Sequence, residues 1–244
     1  MLKSYFKQVQ ERLELVEQKE TQAMRLAAKQ VATAIQSGGI IQLFGCGHSH
    51  MLAEEVFYRA GGLVPIKPIF VEPLMLHEGA VRSSQFERQT DYATTFLNEQ
   101  DFQANDVVVV VSTSGRNPVP IDVALAARQK GAFVIGITAP SYAESQASRH
   151  QTGNYLFNSV DLVVNNHSAI GDAVLEYPEV DVRFGPTSTV VGATILNAIF
   201  AEAIKEMADA GFSPPIFLSG NIDGADEHNR QLIDVYSERI SLLA

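Results

Sequence analysis

A single cysteine, Cys46, is the only thiol in the chain, which excludes an internal disulfide framework and any Cys-rich zinc site. No stretch approaches the ~18 uninterrupted apolar residues of a membrane-spanning helix. The opening residues Met1–Lys7 lack an apolar run of about 7–15 residues, so no signal peptide is expected there. Positive charge is scarce as well: 18 Lys and Arg face 28 Asp and Glu, a formal charge of −10. Sequence-independent nucleic-acid binding, which needs basic patches to neutralise phosphates, is disfavoured on that balance. A small anion held by local dipoles is not. With 244 residues, 46% of them hydrophobic, the chain can bury a sizeable core. The expectation is a soluble cytoplasmic protein with no membrane or nucleic-acid partner.

Leu2, Phe6, Val9, Leu13 and Val16 recur at steps of three or four, and Ala27, Val31 and Ile35 resume the stripe. That period predicts one leading helix over residues 1–36, stopped by Ser37-Gly38-Gly39. Short apolar runs follow at Ile40–Phe44, Ile66–Val71, Val107–Val111, Phe133–Thr138 and Asp161–Val164. Uninterrupted β-branched runs mark strands covered on both faces. Helical patterns at Met51–Ala60, Pro120–Lys130 and Ser141–His150 alternate with them. The alternation predicts an α/β fold with a doubly wound parallel sheet. Thr187–Ala210 and Ala225–Leu243 read as a long helix and a closing helix, separated by Ser213-Pro214-Pro215. No repeat, linker or low-complexity segment divides the chain. Residues 1–244 therefore read as one domain, with core 37–210 and C-terminal helical segment 211–244.

Ligands of open parallel sheets bind beyond the carboxyl ends of strands, which selects three loops. In the first, Gly45-Cys46-Gly47-His48-Ser49-His50, Gly47 permits close backbone approach and Ser49 is placed to cap a helix or bond an oxyanion. A dinucleotide fingerprint is disfavoured because His50 stands where a third glycine belongs and the downstream acid, Glu72, is poorly placed. His48 and His50 are spaced as a turn more than as a metal pair, so no metal and no cofactor is expected. In the second, Ser112, Thr113 and Ser114 with Gly115 supply hydroxyls, free N–H groups and a helix start, the parts that hold a phosphate dianion without a lysine. In the third, Gly185-Pro186, Thr187, Ser188 and Thr189 open the long helix, suggesting a sugar phosphate gripped from two sides.

Gly-x-Gly-x-Ser at Gly45–Ser49, the Ser-x-Ser-Gly pattern within Ser112–Pro120 and the Thr/Ser-rich third loop together resemble the sugar isomerase (SIS) domain, over about Val31 to Ala210. Leu76-His77-Glu78-Gly79-Ala80 and Asp223–Asn229 are similar to a bacterial SIS group described as phosphosugar isomerases. The resemblance implies a five-stranded parallel sheet between helices and a phosphosugar ligand. It also implies a homodimer or homotetramer with sites near the subunit interface. By position, Ser112, Thr113, Ser114, Thr187, Ser188 and Thr189 take the family's phosphate-holding role and Ser49 lies near the sugar.

Aldose–ketose isomerisation needs a base for the proton α to the carbonyl and a group that moves protons between oxygens. Glu78, between His77 and Gly79 just past the second strand, is the candidate base, with His77 beside it. His228 is the candidate shuttle, because related isomerases use a histidine of the C-terminal helix, sometimes from the partner chain. The same proton abstraction begins an elimination, so a dehydratase or etherase acting on an amino-sugar 6-phosphate is the alternative reaction. The rival without catalysis is a sugar-phosphate sensor. A direct transcription regulator is disfavoured, since 36 residues before the sheet are too few for a helix-turn-helix.

Overall fold

The computed structural model describes residues 1–244. From the N-terminus run α1 (Leu2–Gln36), β1 (Ile41–Gly45), α2 (His50–Val56), β2 (Ile66–Pro68), α3 (Ala80–Glu87), α4 (Thr94–Leu97) and β3 (Val107–Val111). After these come α5 (Pro118–Gln129), β4 (Phe133–Thr138), α6 (Pro140–Glu144), β5 (Leu162–Asn165), β6 (Leu175–Tyr177), β7 (Val180–Phe184), α7 (Ser188–Asp209) and α8 (Ala225–Tyr236). The five apolar runs form one sheet in the order β2-β1-β3-β4-β5, and every pairing is parallel.

Alternation along each strand divides the core into two layers. Ile41, Leu43, Val107, Val109, Ile135 and Ile137 pack with α1, α2 and α7. Phe44, Val108, Val110 and Val134 pack under α5. All five valines of β3 are at most 2% exposed, and burying each is worth about 1.5–3 kcal/mol. A strand sandwiched between helices must be apolar on both faces, which is the physical origin of the unbroken run. α7 is long and apolar enough by composition to cross a membrane, but Val191, Ile195, Leu196 and Ile199 bury it in the first layer as a core helix.

Several boundaries differ from the sequence expectation. β2 ends at Pro68, which lacks an N–H and is tolerated because the strand lies at the sheet edge. The helix expected over Met51–Ala60 stops at Val56, where Phe57 turns extended and Tyr58 takes a positive φ of 48°. The helix expected over Ser141–His150 is only the five residues of α6. Beyond it His150 is held by Asp122 at 2.9 Å and Thr152 at 2.7 Å. The closing helix ends at Tyr236, not Leu243. Its continuation packs Ile240 and Leu243 against Ile40, Val64 and Phe217 at the amino end of the sheet. The β6–β7 hairpin, largely exposed, and α3 have no counterpart in the sequence reading.

Candidate functional site

The strand order reverses direction between β1 and β3. α2 leaves β1 toward one face and α5 leaves β3 toward the other, so the loops after these two strands part around a crevice at the carboxyl edge. Gly45 and Val111 are register partners, which sets the two loops side by side.

The loop after β3 has the features of an anion cradle. The N–H groups of Thr113, Ser114 and Arg116 donate to no acceptor within the chain, while the Gly115 N–H is taken by Ser112 Oγ at 3.3 Å. Gly115 stands at φ +56°, and a Cβ there would meet Thr138 Oγ1 at 2.6 Å; only glycine makes this turn against β4. Successive free N–H groups around a left-handed residue form the concavity that holds phosphate. Asn166, 1% exposed after β5, donates to Thr113 Oγ1 at 3.1 Å and so fixes that hydroxyl.

The loop after β1 lies beside it. Gly47 and His48 have unused N–H groups, and Ser49 makes no capping bond to α2. The buried His50 ring is pinned through Nδ1, 2.5 Å from the Gly47 carbonyl, with its centroid 6.4 Å from that of His77. Leu76 Cδ2 lies 3.8 Å from where a Cβ of Gly47 would stand. This contact brings the Leu76–Glu78 turn against loop one. Glu78 pairs with Arg82 at 3.3 Å and stands 3.9 Å from His77 Nε2; the Glu78 and His77 side chains are both exposed.

The N-terminus of α7 reaches the same edge because α7 and α2 touch: a Cβ on Gly192 would meet Leu52 Cδ1 at 2.6 Å. Ser188 is not free for a ligand, however. Asp172 accepts the N–H groups of Thr187 and Ser188 at 3.1 Å each and the Ser188 hydroxyl at 2.5 Å. The third loop therefore grips a carboxylate of its own chain, and only the Thr187 hydroxyl, buried without a partner, and Thr189 remain unused there. Asp172 holds a positive φ of 49°, a conformation that nothing in the sequence marks.

His228 is the candidate that the fold separates from the rest. Its Nε2 lies 2.9 Å from the Ile216 carbonyl, and Ile216 bridges Leu63 ahead of β2, on the amino-end side of the sheet. Within one chain it does not join Glu78. Three residues that the sequence reading passed over surround the start of α5. Asn117 donates to Glu87 at 2.8 Å and accepts from Arg149 at 2.9 Å. Burial pushes the Glu87 carboxyl pKa up, and burial, then Glu87, push the Cys46 thiol up as well. Burial and a raised thiol pKa both work against Cys46 as a nucleophile.

Residues 4–139 match the family model described as SIS domain. The chain is 69% identical over 244 residues to a UPF0309 protein of Halalkalibacterium halodurans, covering 100% of this chain and 98% of that one. A UPF0309 protein of Listeria innocua is 57% identical over 231 residues, covering 95% and 94%. Among solved structures, a phosphoheptose isomerase from Francisella tularensis superposes with a TM-score of 0.52 at 16% identity, over 84% of this chain and 96% of its own. Phosphoheptose isomerase from Neisseria gonorrhoeae gives 0.50 at 16%, over 86% and 97%. These two likenesses establish the fold, a five-stranded parallel sheet between helices.

Proposed function

The chain belongs to the SIS-domain family, and on that premise we propose that it is a phosphosugar enzyme, an aldose–ketose isomerase working by α-proton abstraction. The carrying observation is the loop after β3, where three unused N–H groups and the hydroxyls of Thr113 and Ser114 converge at the switch point. Such a cradle, with its converging N–H donors at a helix start, favours a dianionic phosphate. The two phosphoheptose isomerases that share the fold support the same reading.

With phosphate on Thr113 and Ser114 and the sugar toward Gly47 and Ser49, we assign the carbonyl end to Glu78, whose turn packs against Gly47 through Leu76. Glu78 takes the proton from C2, electrons move onto the carbonyl oxygen to give an enediol, and the proton returns to C1. His77, 3.9 Å from Glu78, moves protons between the two oxygens. His228 takes that part only when supplied by a second copy of the chain.

Turnover of a panel of hexose, pentose and amino-sugar phosphates, followed by NMR, tests the proposal. Interconversion of an aldose and a ketose phosphate is the expected result. An eliminated product assigns a lyase instead, and binding with no chemistry on any member assigns a sensor.

A further inference from the structure

The three arginines around the start of α5 are unpaired. Arg59, Arg82, Arg128, Arg183, Arg230 and Arg239 each pair with a carboxylate. Of the five that pair with none in this chain of net charge −10, Arg12 and Arg25 lie on α1, and Arg88, Arg116 and Arg149 stand around the start of α5. They are nonetheless gathered. The Arg149 N–H donates to the Arg116 carbonyl at 2.8 Å, and its Nη1 donates to Asn117 Oδ1 at 2.9 Å. Asn117 Nδ2 in turn bonds Glu87, whose neighbour is Arg88. Arg116 Nε is buried and donates to nothing, a state that costs free energy until an acceptor arrives. Burial first, then the like charges of Arg116 and Arg88, lower the pKa of Arg149, as expected of guanidinium groups crowded together. Glu87, the carboxyl among them, forms an ion pair with none of the three and bonds Asn117 instead.

Helix starts bind anions through their first free N–H groups, but here Pro118 and Pro120 carry none, and the Gly115 N–H is already taken. Free N–H groups remain on Thr113, Ser114 and Arg116 in the loop and on Asn117 and Val119 at the helix start, and those of the loop suit one phosphate. Guanidinium forks two residues beyond Ser114 suit another oxyanion, which they bind in bidentate fashion.

We propose that the ligand of this site carries a second oxyanion, a carboxylate or a further phosphate, held by Arg116, Arg149 and Arg88 while Thr113 and Ser114 hold the first phosphate. The inference rests on the phosphosugar reading and narrows its substrate class.

Calorimetric titration of the full chain at fixed ionic strength compares two pairs of probes: glucose 6-phosphate with 6-phosphogluconate, and fructose 6-phosphate with fructose 1,6-bisphosphate. The second anion is expected to tighten binding tenfold or more within at least one pair. A gain confined to 6-phosphogluconate assigns a carboxylate, and a gain confined to the bisphosphate assigns a phosphate. The double variant Arg88→Met, Arg149→Met should cut the gain at least severalfold and leave the monophosphates within twofold. If it does not fold, Arg88→Met, whose guanidinium makes no hydrogen bond within the chain, should cut the gain severalfold. Equal affinities within both pairs overturn the inference alone, as does a variant that loses monophosphates equally. Failure of every sugar phosphate to bind overturns the phosphosugar reading and this inference with it.

Discussion

The Asp172 carboxylate accepts both the backbone N–H of Ser188, at 3.1 Å, and its hydroxyl, at 2.5 Å. With the Thr187 N–H also bound, this carboxylate caps α7 from 16 residues upstream. A cap is worth about 0.5–2 kcal/mol. Asp172→Ala should therefore lower the unfolding free energy by about 1–2 kcal/mol in urea titration, with Asp172→Asn retaining part of it. Unchanged stability in both variants would show that the cap is ornamental.

Gly115 is the tightest point of the proposed phosphate cradle. Alanine there sets a Cβ against Thr138 Oγ1 and holds a strained positive φ, which together cost about 1–3 kcal/mol. Gly115→Ala should weaken inorganic-phosphate binding by tenfold or more by calorimetry and lower the thermal midpoint. Normal phosphate affinity in a folded variant would remove the loop from the binding site.

Arg239 clamps the C-terminal tail to the amino end of the sheet by binding the fully buried Asp106 side chain at 2.8 Å. Burial works against the charged Asp106. The Arg239 guanidinium and the Ile40 and Gln103 N–H groups outweigh it, and the carboxyl titrates below its usual range. A depressed folded pKa adds stability that is present above the unfolded value, near 3.9, and is lost as pH falls through the folded value. Arg239→Ala leaves the charge buried and should cost about 3–5 kcal/mol at neutral pH. Asp106→Asn should flatten the loss of stability below about pH 4, measured by denaturant titration across pH. An equally steep acid limb in that variant would assign the loss to other carboxyls.

Cys46 is buried and its thiol pKa is raised. Cys46 in the native chain should displace no aryl thiolate from a disulfide reagent such as Ellman's, and should displace one equivalent after unfolding in guanidinium. Fast reaction of the native protein would show that the crevice opens at loop one.

Much of this was legible from residue pattern alone. The β-branched runs give the parallel sheet because strands covered on both faces must be apolar throughout, and the rule of carboxyl-end loops then points to Gly47, Ser49 and Ser112–Ser114. Pattern says little where tertiary contact decides. Asp172 reaches α7 through a left-handed turn that favours glycine, so its role as a cap is invisible before folding. His228 reads as a companion of Glu78 until the pairing of Ile216 with Leu63 sets the two apart within one chain. The β6–β7 hairpin alternates polar and apolar residues over three and five positions, too short a stretch for a period to stand out. Arg149 and Asn117 meet across 32 residues, a distance no local spacing encodes.

Proton abstraction by Glu78 from a bound sugar phosphate is the central claim, and solvent deuterium tests it most directly. Incubated in deuterated water with the sugar phosphate that binds most tightly, the wild-type chain should place deuterium at C2, and Glu78→Gln should slow that exchange by about 10²–10⁴-fold, the usual worth of a general base, with affinity unchanged. Binding without deuterium at C2 in the wild type, or exchange undiminished in Glu78→Gln, would contradict it.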